Sequence, residues 1–307
     1  MSFVAVLFAL LLEQARPLAP GNGVHALMRV WVRTCARNFD TGQMSGAVLT
    51  LGLAVGLPAL LAAGVYRGLN AWLGWPVGVV WSALILYAAL GFRQFSAHFT
   101  QVRDALAAGD VDLAAQRLNQ WQPAEVANLT REGLIARCIN LSVLAAHRHV
   151  FGVLAWFTVL AALGLGPLGA VAYRLAELVP RYWRHAHDTH AQTISPALQQ
   201  AADRLWQGLD AWPARMTAMG FAVMGNFEEA VDAWRRYAQH PVLGHDGVVL
   251  AATAGAVNVH LDGMGFDPND RPVPQVSHLA TVVGLVWRTV LLWMVLLALL
   301  TLARWLG

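Results

Sequence analysis

The chain has 307 residues, of which 57% are hydrophobic and only 13% are charged, and its mean hydropathy is +0.48. Soluble domains carry roughly 25% charged residues, so this composition excludes an ordinary soluble protein and predicts an integral membrane protein whose main partner is the lipid bilayer. The formal net charge of +3, without a basic stripe interleaved with aromatic residues, excludes nucleic acid as a partner.

All 21 cationic residues are arginine. The absence of lysine excludes a Schiff-base lysine, a lysine general base and the lysine of a phosphate-binding loop. Cys35 and Cys138 lie about a hundred residues apart and form no CxxC pair, so neither a zinc ribbon nor a redox site is indicated. We therefore predict no cofactor.

The first third of the chain predicts two membrane spans with shorter helices around them. Residues 2–12 are apolar but fall short of the roughly 20 residues that a span needs, so they are expected to dip into the membrane or to lie in its interface. Residues 47–66 and 71–92 are uncharged runs of spanning length, joined by a polar break at 67–70. Arginines concentrate on the outer flanks of this pair, so both flanks are predicted to face the cytoplasm.

The apolar run at residues 150–173 allows two interpretations. As one helix it would be ~36 Å long and would span the membrane. However, Gly164, Gly166, Pro167 and Gly169 lie in its middle and would divide it into a re-entrant hairpin. The hairpin is favoured because it returns the arginine-rich segment that follows to the cytoplasm.

The remaining segments complete a predicted all-α, polytopic membrane protein with cytoplasmic amphipathic helices and a single membrane domain, 1–307. Residues 213–224 and 247–261 are expected to dip into the membrane, and residues 289–307 to span it. Asp210 and Pro213 are predicted to open a helix, with Asp210 as its N-cap. Three histidines at 185, 187 and 190 have a spacing compatible with a metal site, but a solvated turn is the simpler interpretation, so no metal site is predicted.

Several short motifs follow one another in an order that is typical of one membrane family. They are Ala108-Gly109-Asp110, Asn140 with Arg148, Leu154-Ala155-Trp156-Phe157, Tyr173, the L-D-A-W-P-A-R segment at 209–215, Gly225 with Ala230 and Trp234, and Ala251-Ala252-Thr253-Ala254-Gly255. Through them the chain resembles the CobD/CbiB family, whose members attach the aminopropanol arm in cobalamin biosynthesis. It resembles still more the divergent AmpE-like membrane proteins, which are linked with β-lactamase regulation.

The chain departs from the family at positions where active members carry carboxylates or amides. Leu144, Ala145 and Arg148 stand at three of them, and Glu177 and Pro180 at two more. These departures favour an AmpE-like signalling or accessory protein without ligase activity and without catalytic residues. The alternative is an active amide ligase of the CobD/CbiB type, which would depend on ATP and Mg²⁺ as an adenosylcobinamide-phosphate synthase does.

Polar residues within or near these motifs form the predicted ligand-binding site. They are Arg148, Glu177, Asp210, Arg215, His245 and Asp246. Because Arg148 would attract negative charge, the predicted ligand is an anion. The resemblance also implies the bacterial inner (plasma) membrane, a multi-pass topology with most polar segments in the cytoplasm, and an unidentified membrane or cytoplasmic protein partner.

Overall fold

The computed structural model of the protein describes residues 2–16, 23–121, 129–261 and 271–306, except for the side chains of residues 92–95 and 304–306. Regular secondary structure within these ranges is helical throughout, which confirms the all-α prediction. The first helices are α1 (Ser2–Ala15), α2 (Gly23–Phe39), α3 (Met44–Leu51), α4 (Leu57–Leu73), α5 (Trp75–Ala89), α6 (Phe92–Ala107) and α7 (Val111–Trp121). They are followed by α8 (Arg131–Ala146), α9 (Gly152–Ala162), α10 (Leu168–Asp188), α11 (Pro196–Met224), α12 (Phe227–Gln239), α13 (Gly244–Ala256) and α14 (Val276–Leu306).

Three helical segments among the described residues are long and apolar enough to cross a membrane: Met44–Leu73, Arg131–Ala162 and Val276–Ala303. The first two are joined pairs of α-helices, each with one π-helical turn, at Gly52–Gly56 and at His147–Phe151. The apolar helices α1 and α5 have 14 and 15 residues and are shorter than a span. The lengths and composition support a membrane protein.

The first helical hairpin turns later than the sequence predicted. Residues 67–70 continue α4, and the chain reverses at Gly74 instead. Gly74 has φ = 85°, a backbone conformation that glycine adopts at little cost and other residues avoid. Pro76 follows in the first turn of α5, where its missing N–H costs no helical hydrogen bond. The predicted run 71–92 therefore contains the last residues of α4, the turn at Gly74 and the 15-residue helix α5.

The apolar run at 150–173 is not one helix. α9 ends at Ala162, α10 begins at Leu168, and the two helices pack against each other. The reversal uses Gly164 and Gly166, whose φ values are 75° and 58°. A side chain at Gly169 would collide with the backbone of Trp156, so this glycine allows the close approach of α9 and α10. The run is thus two helices joined by a tight turn, and α9 is the end of the spanning-length segment Arg131–Ala162; whether the pair re-enters the membrane stays a prediction.

The predicted helix start at Asp210 is wrong, because α11 runs without interruption from Pro196 to Met224. Pro213 lies inside this helix and removes the hydrogen bond that its N–H would give to the carbonyl of Leu209. The indole Nε1 of Trp156 donates to that carbonyl instead, at 2.9 Å. A side chain from α9 thus satisfies the acceptor that the proline leaves unpaired, and the helix continues.

The chain forms two compact units. Unit 1 comprises Met1–Gly91, Gly152–Pro213 and Leu297–Gly307, and unit 2 comprises Phe92–Phe151 and Ala214–Leu296. The core of unit 1 lies between α2, α3, α4, α10 and α11, around the fully buried Trp183, whose Nε1 donates to the carbonyl of Val32 at 3.3 Å. In unit 2, α6, α7 and α8 pack together, α13 packs on α8, and α12 pairs with α13. Each unit thus has its own set of packed helices.

Glycines bring α12 and α13 into close contact. A side chain at Gly255 would collide with the backbone of Glu229 and Ala230, and one at Gly247 would collide with the ring of Tyr237. Backbones that approach this closely lose their fit when a methyl group is inserted between them. The close packing of α12 against α13 therefore requires glycine at positions 247 and 255.

We expect Gly255→Ala to destabilise the protein by up to about 2 kcal/mol, since an overpacking cost of about 1–3 kcal/mol is offset in part by the roughly 1 kcal/mol that alanine gains in a helix. Gly208→Ala is the matched control, because Gly208 lies inside α11 with open space where the methyl would stand. It should be neutral or stabilising. Equal losses in the apparent Tm of both variants would contradict the packing argument.

Candidate functional site: two charged clusters

The first cluster lies on one face of α10 in unit 1. Glu177 is buried, with 1% of its side chain exposed, and it stands between two arginines one turn away on either side. Arg174 donates from Nη1 to Glu177 Oε2 at 2.7 Å, and Arg181 pairs with the other carboxylate oxygen. The i, i+3 and i+4 spacing places these side chains on one face. Glu177 was a predicted site residue, whereas its buried partner Arg174 was missed.

The surroundings of this cluster are cationic. His25 of α2 lies close enough to Arg174 for the two groups to interact electrostatically. Partial burial lowers the pKa of His25 from its usual value, and the charges of Arg174 and Arg29 lower it further. The imidazole is therefore neutral at pH 7, and its burial and the neighbouring arginines disfavour the protonated form.

The lowered pKa of His25 predicts a pH-dependent stability. Below pH 6.5, the ordinary histidine pKa, the unfolded chain binds a proton at His25 that the folded chain resists. The contribution of His25 is thus fully present above pH 6.5 and is lost as the pH falls toward the folded pKa. We expect His25→Asn to lose less apparent Tm between pH 7 and pH 5 than the wild type. His187→Gln, at an exposed position of α10, is the control and should keep the wild-type slope.

The second feature of unit 1 is a buried hydrogen bond between α10 and α11. The hydroxyl of Tyr173 donates to Asp210 Oδ1 at 2.7 Å, and both residues are almost completely buried. The Tyr173 ring lies against Trp206 and occupies the space beside Gly152, where a methyl group would collide with it. Asp210, predicted as a helix cap and a site residue, is thus held inside α11 by a tyrosine next to Arg174.

The other cluster lies in unit 2, between the π-helical turn His147–Phe151 and the first turn of α13. Arg148 forms an ion pair with Asp246, 98 residues further along the chain. Near Asp246, the Tyr237 hydroxyl accepts from the backbone N–H of Leu243 at 2.7 Å and donates to the carbonyl of Gly244 at 3.1 Å. Burial raises the pKa of Tyr237, and the charge of Asp246 adds to that rise against the opposing backbone hydrogen bond. The structure thus brings Arg148 and Asp246 together, and His245 precedes Asp246 in α13.

The six predicted site residues divide between the units. Glu177 and Asp210 belong to unit 1, whereas Arg148, Arg215, His245 and Asp246 belong to unit 2. Arg215 is exposed on α11. The sequence contains one signal that would have found Arg174, namely the arginine–glutamate–arginine spacing of Arg174, Glu177 and Arg181 on a helix.

The resemblance implies a Mg²⁺ ion held by several carboxylates. Among the described residues, no three or more His, Cys, Asp or Glu side chains stand close enough together to hold a metal ion. The carboxylate of Glu177 is engaged by arginines, and those of Asp210 and Asp246 by Tyr173 and Arg148. These donors do not fit a carboxylate-held Mg²⁺ ion, and we assign no reaction step to one.

Comparison with known proteins identifies relatives of this chain. The sequence model of the family described as "CobD/Cbib protein" matches residues 2–281. The protein named "Cobalamin biosynthesis protein CobD" of Chromobacterium violaceum is 32% identical over 179 residues, which are 58% of this chain and 54% of that relative. The proteins of the same name from Stutzerimonas stutzeri and Mycobacterium tuberculosis are 31% and 30% identical over 232 and 234 residues.

Coverage differs among these relatives. The matched segment spans about half the length of the Chromobacterium protein, but 73% of the Stutzerimonas protein and 69% of the Mycobacterium protein. It covers 72% and 73% of this chain in the latter two comparisons. No solved structure matched the chain.

These findings overturn the prediction of an AmpE-like signalling protein without ligase activity. The relatives are named for cobalamin biosynthesis, which was the alternative interpretation. Arg148 reverses a charge expected from the resemblance, but Asp246 balances that charge locally. The match over residues 2–281 and the relatives at 30–32% identity establish that the chain belongs to the CobD/CbiB family.

Proposed function

We propose that the protein carries out the CobD-type step of cobalamin biosynthesis, in which a corrinoid carboxylate and the amine of the aminopropanol arm are joined as an amide. One observation carries this proposal: the family match extends over residues 2–281 and therefore includes the charged clusters of both units. Amide formation from a carboxylate releases water and needs activation, for which the resemblance implies ATP.

We assign substrate binding to the cluster on α10. The substrates of such a reaction carry carboxylate or phosphate groups, which arginine binds through parallel N–H donors. Arg181 is 51% exposed and therefore able to reach a substrate, while buried Arg174 adds positive charge beneath it. Glu177 holds both guanidiniums in place.

We further propose that the protein resides in the bacterial plasma membrane with most of its polar segments toward the cytoplasm. The distribution of arginines around the first hairpin supports this orientation. A cytoplasmic site would give direct access to ATP and to soluble corrinoids. An additional protein partner stays a prediction.

Growth complementation tests the proposed function. A strain without its own CobD protein should grow on a corrinoid that lacks the aminopropanol arm once this chain is expressed. A corrinoid that already carries the arm should support growth with or without the chain. Arg181→Gln should reduce complementation, whereas Arg184→Gln, an exposed arginine of the same helix paired with Asp203, should not. Failure of the wild-type chain to restore growth, despite its presence in the membrane, would contradict the proposal.

A further inference from the structure

Unit 1 contains a cavity of about 770 Å³ that takes no part in the proposed reaction site. Its walls come from α1, α4, α5, α9, the turn after α9 and the last turns of α14. The volume lies within the range of ligand pockets, roughly 300–1,000 Å³. The cavity is therefore large enough for a bound molecule rather than for a few waters.

The chemistry of the walls is that of a hydrocarbon site. Charged side chains are missing from the described lining, which consists mainly of small and apolar residues such as Ala5, Val79, Phe157 and Leu297. The hydroxyl of Thr158 donates to the carbonyl of Leu154 at 2.7 Å, and that of Thr301 donates to Leu297 at 2.8 Å. Both threonine hydroxyl protons are thus used within their own helices. Ser2, Tyr66 and Ser82 add three hydroxyls to the lining, but the apolar side chains that make up most of the walls favour an apolar occupant.

The cavity communicates with the apolar outer surface of α14. Leu300 lines the cavity and is nevertheless 58% exposed, beside the equally apolar and exposed Leu299 and Leu296. α14 contains one of the three segments able to span a membrane, so this surface is suited to contact with lipid. An empty apolar space of this size would lose the dispersion contacts that close packing supplies. A hydrocarbon chain entering from the bilayer would restore them.

The guanidinium of Arg67 lies beside one part of the cavity. Tyr66, Gly164 and Gly166 line it there, and the exposed Arg67 donates from Nε to the carbonyl of Gly164 at 3.5 Å. Trp72 follows on α4 and is 91% exposed. Exposed tryptophans and arginines near helix ends are typical of the headgroup level of a membrane. An anionic headgroup near Arg67 would therefore lie next to a chain in the cavity.

We propose that this cavity binds one glycerophospholipid, with an acyl chain between α1, α5, α9 and α14 and the phosphate against Arg67. The occupant is drawn from the surrounding bilayer. Arg67 is suited to the phosphate by charge and by the geometry of its donors. The bound lipid is a structural and positioning ligand of unit 1, separate from the anion-binding cluster on α10.

Native mass spectrometry of the full-length protein, with phosphatidylglycerol added to the detergent micelles, tests the proposal. The wild type should retain one phospholipid per chain. Ala161→Trp fills the cavity and should lower the bound fraction at least tenfold. Leu61→Trp, at an exposed position of α4 outside the cavity lining, is the control and should bind as the wild type does.

A second variant tests the phosphate contact without filling the cavity. Arg67→Gln should weaken binding of phosphatidylglycerol about tenfold, the effect expected for losing a charged hydrogen bond, while binding of diacylglycerol, which has no phosphate, stays unchanged. Unchanged phospholipid retention in both Ala161→Trp and Arg67→Gln, or no retention by the wild type, would overturn the proposal. Weakened binding of both lipids by Arg67→Gln would overturn the phosphate assignment.

Discussion

Glu177→Gln is expected to lower the stability of the protein by about 3–5 kcal/mol, because it leaves buried Arg174 without the carboxylate that balances its charge. The neutral amide keeps the shape of the side chain but not its charge. Both arginines of the cluster are affected together, since each pairs with one carboxylate oxygen of Glu177. In a chain of 307 residues the loss corresponds to a decrease of roughly 5–8 °C in the apparent Tm.

Asp232→Asn is the matched control. Asp232 pairs with Arg236 at 2.8 Å, with the same i, i+4 spacing that joins Glu177 and Arg181. In this pair, however, both side chains are about half exposed. Exposed pairs of this kind contribute about 0.3–0.5 kcal/mol. Thermal unfolding in detergent, followed by tryptophan fluorescence, should therefore separate the two variants clearly. A Glu177→Gln variant as stable as Asp232→Asn would contradict the buried ion-pair geometry.

Tyr173→Phe is expected to cost about 2–3 kcal/mol, because it removes the hydroxyl that donates to buried Asp210. The ring remains, so its packing against Trp206 and Gly152 should persist. Tyr182→Phe on the same helix controls for the loss of a hydroxyl at a partly exposed position, with an expected effect below about 0.5 kcal/mol.

A double-mutant cycle with Asp210→Asn tests whether the pair acts as a unit. If the hydroxyl donates to the carboxylate, the combined loss in Tyr173→Phe/Asp210→Asn should be smaller than the sum of the single losses by about 1–3 kcal/mol. The apparent Tm of the four proteins gives this coupling. Additive losses would mean that the two side chains contribute independently, contrary to the 2.7 Å contact.

Hydropathy and turn residues predicted the class of the fold and the break after α9, because both depend on local chemistry. Gly164, Gly166 and Pro167 mark that reversal within a few residues of each other. Boundaries that depend on distant partners were missed. α11 continues past Pro213 because Trp156, which lies 53 residues before Leu209, supplies the missing donor. Residues 67–70 remained helical because the turn needed the left-handed conformation that Gly74 provides.

The candidate site shows the same division. The spacing of Arg174, Glu177 and Arg181 is local and was available in the sequence, although only Glu177 was singled out. The pairing of Arg148 with Asp246 joins residues 98 positions apart and follows from the packing of α8 against α13. The sequence alone does not show that Asp246 pairs with Arg148. Arg148 therefore looked like an unbalanced charge in place of an expected acid, which indicated a lost activity. The functional prediction was wrong for this reason.

A defined amide-forming assay tests the proposed function most directly. The purified protein in phospholipid nanodiscs would receive a corrinoid acid without the arm, aminopropanol phosphate, ATP and Mg²⁺. We predict a product whose mass equals the two substrates less one water, formed only when ATP is present and reduced in Arg181→Gln but not in Arg184→Gln. The CobD protein of Stutzerimonas stutzeri, assayed in parallel, verifies the conditions. Product from that relative but none from this chain, folded and at equal concentration, would contradict the proposed cobalamin-biosynthesis function.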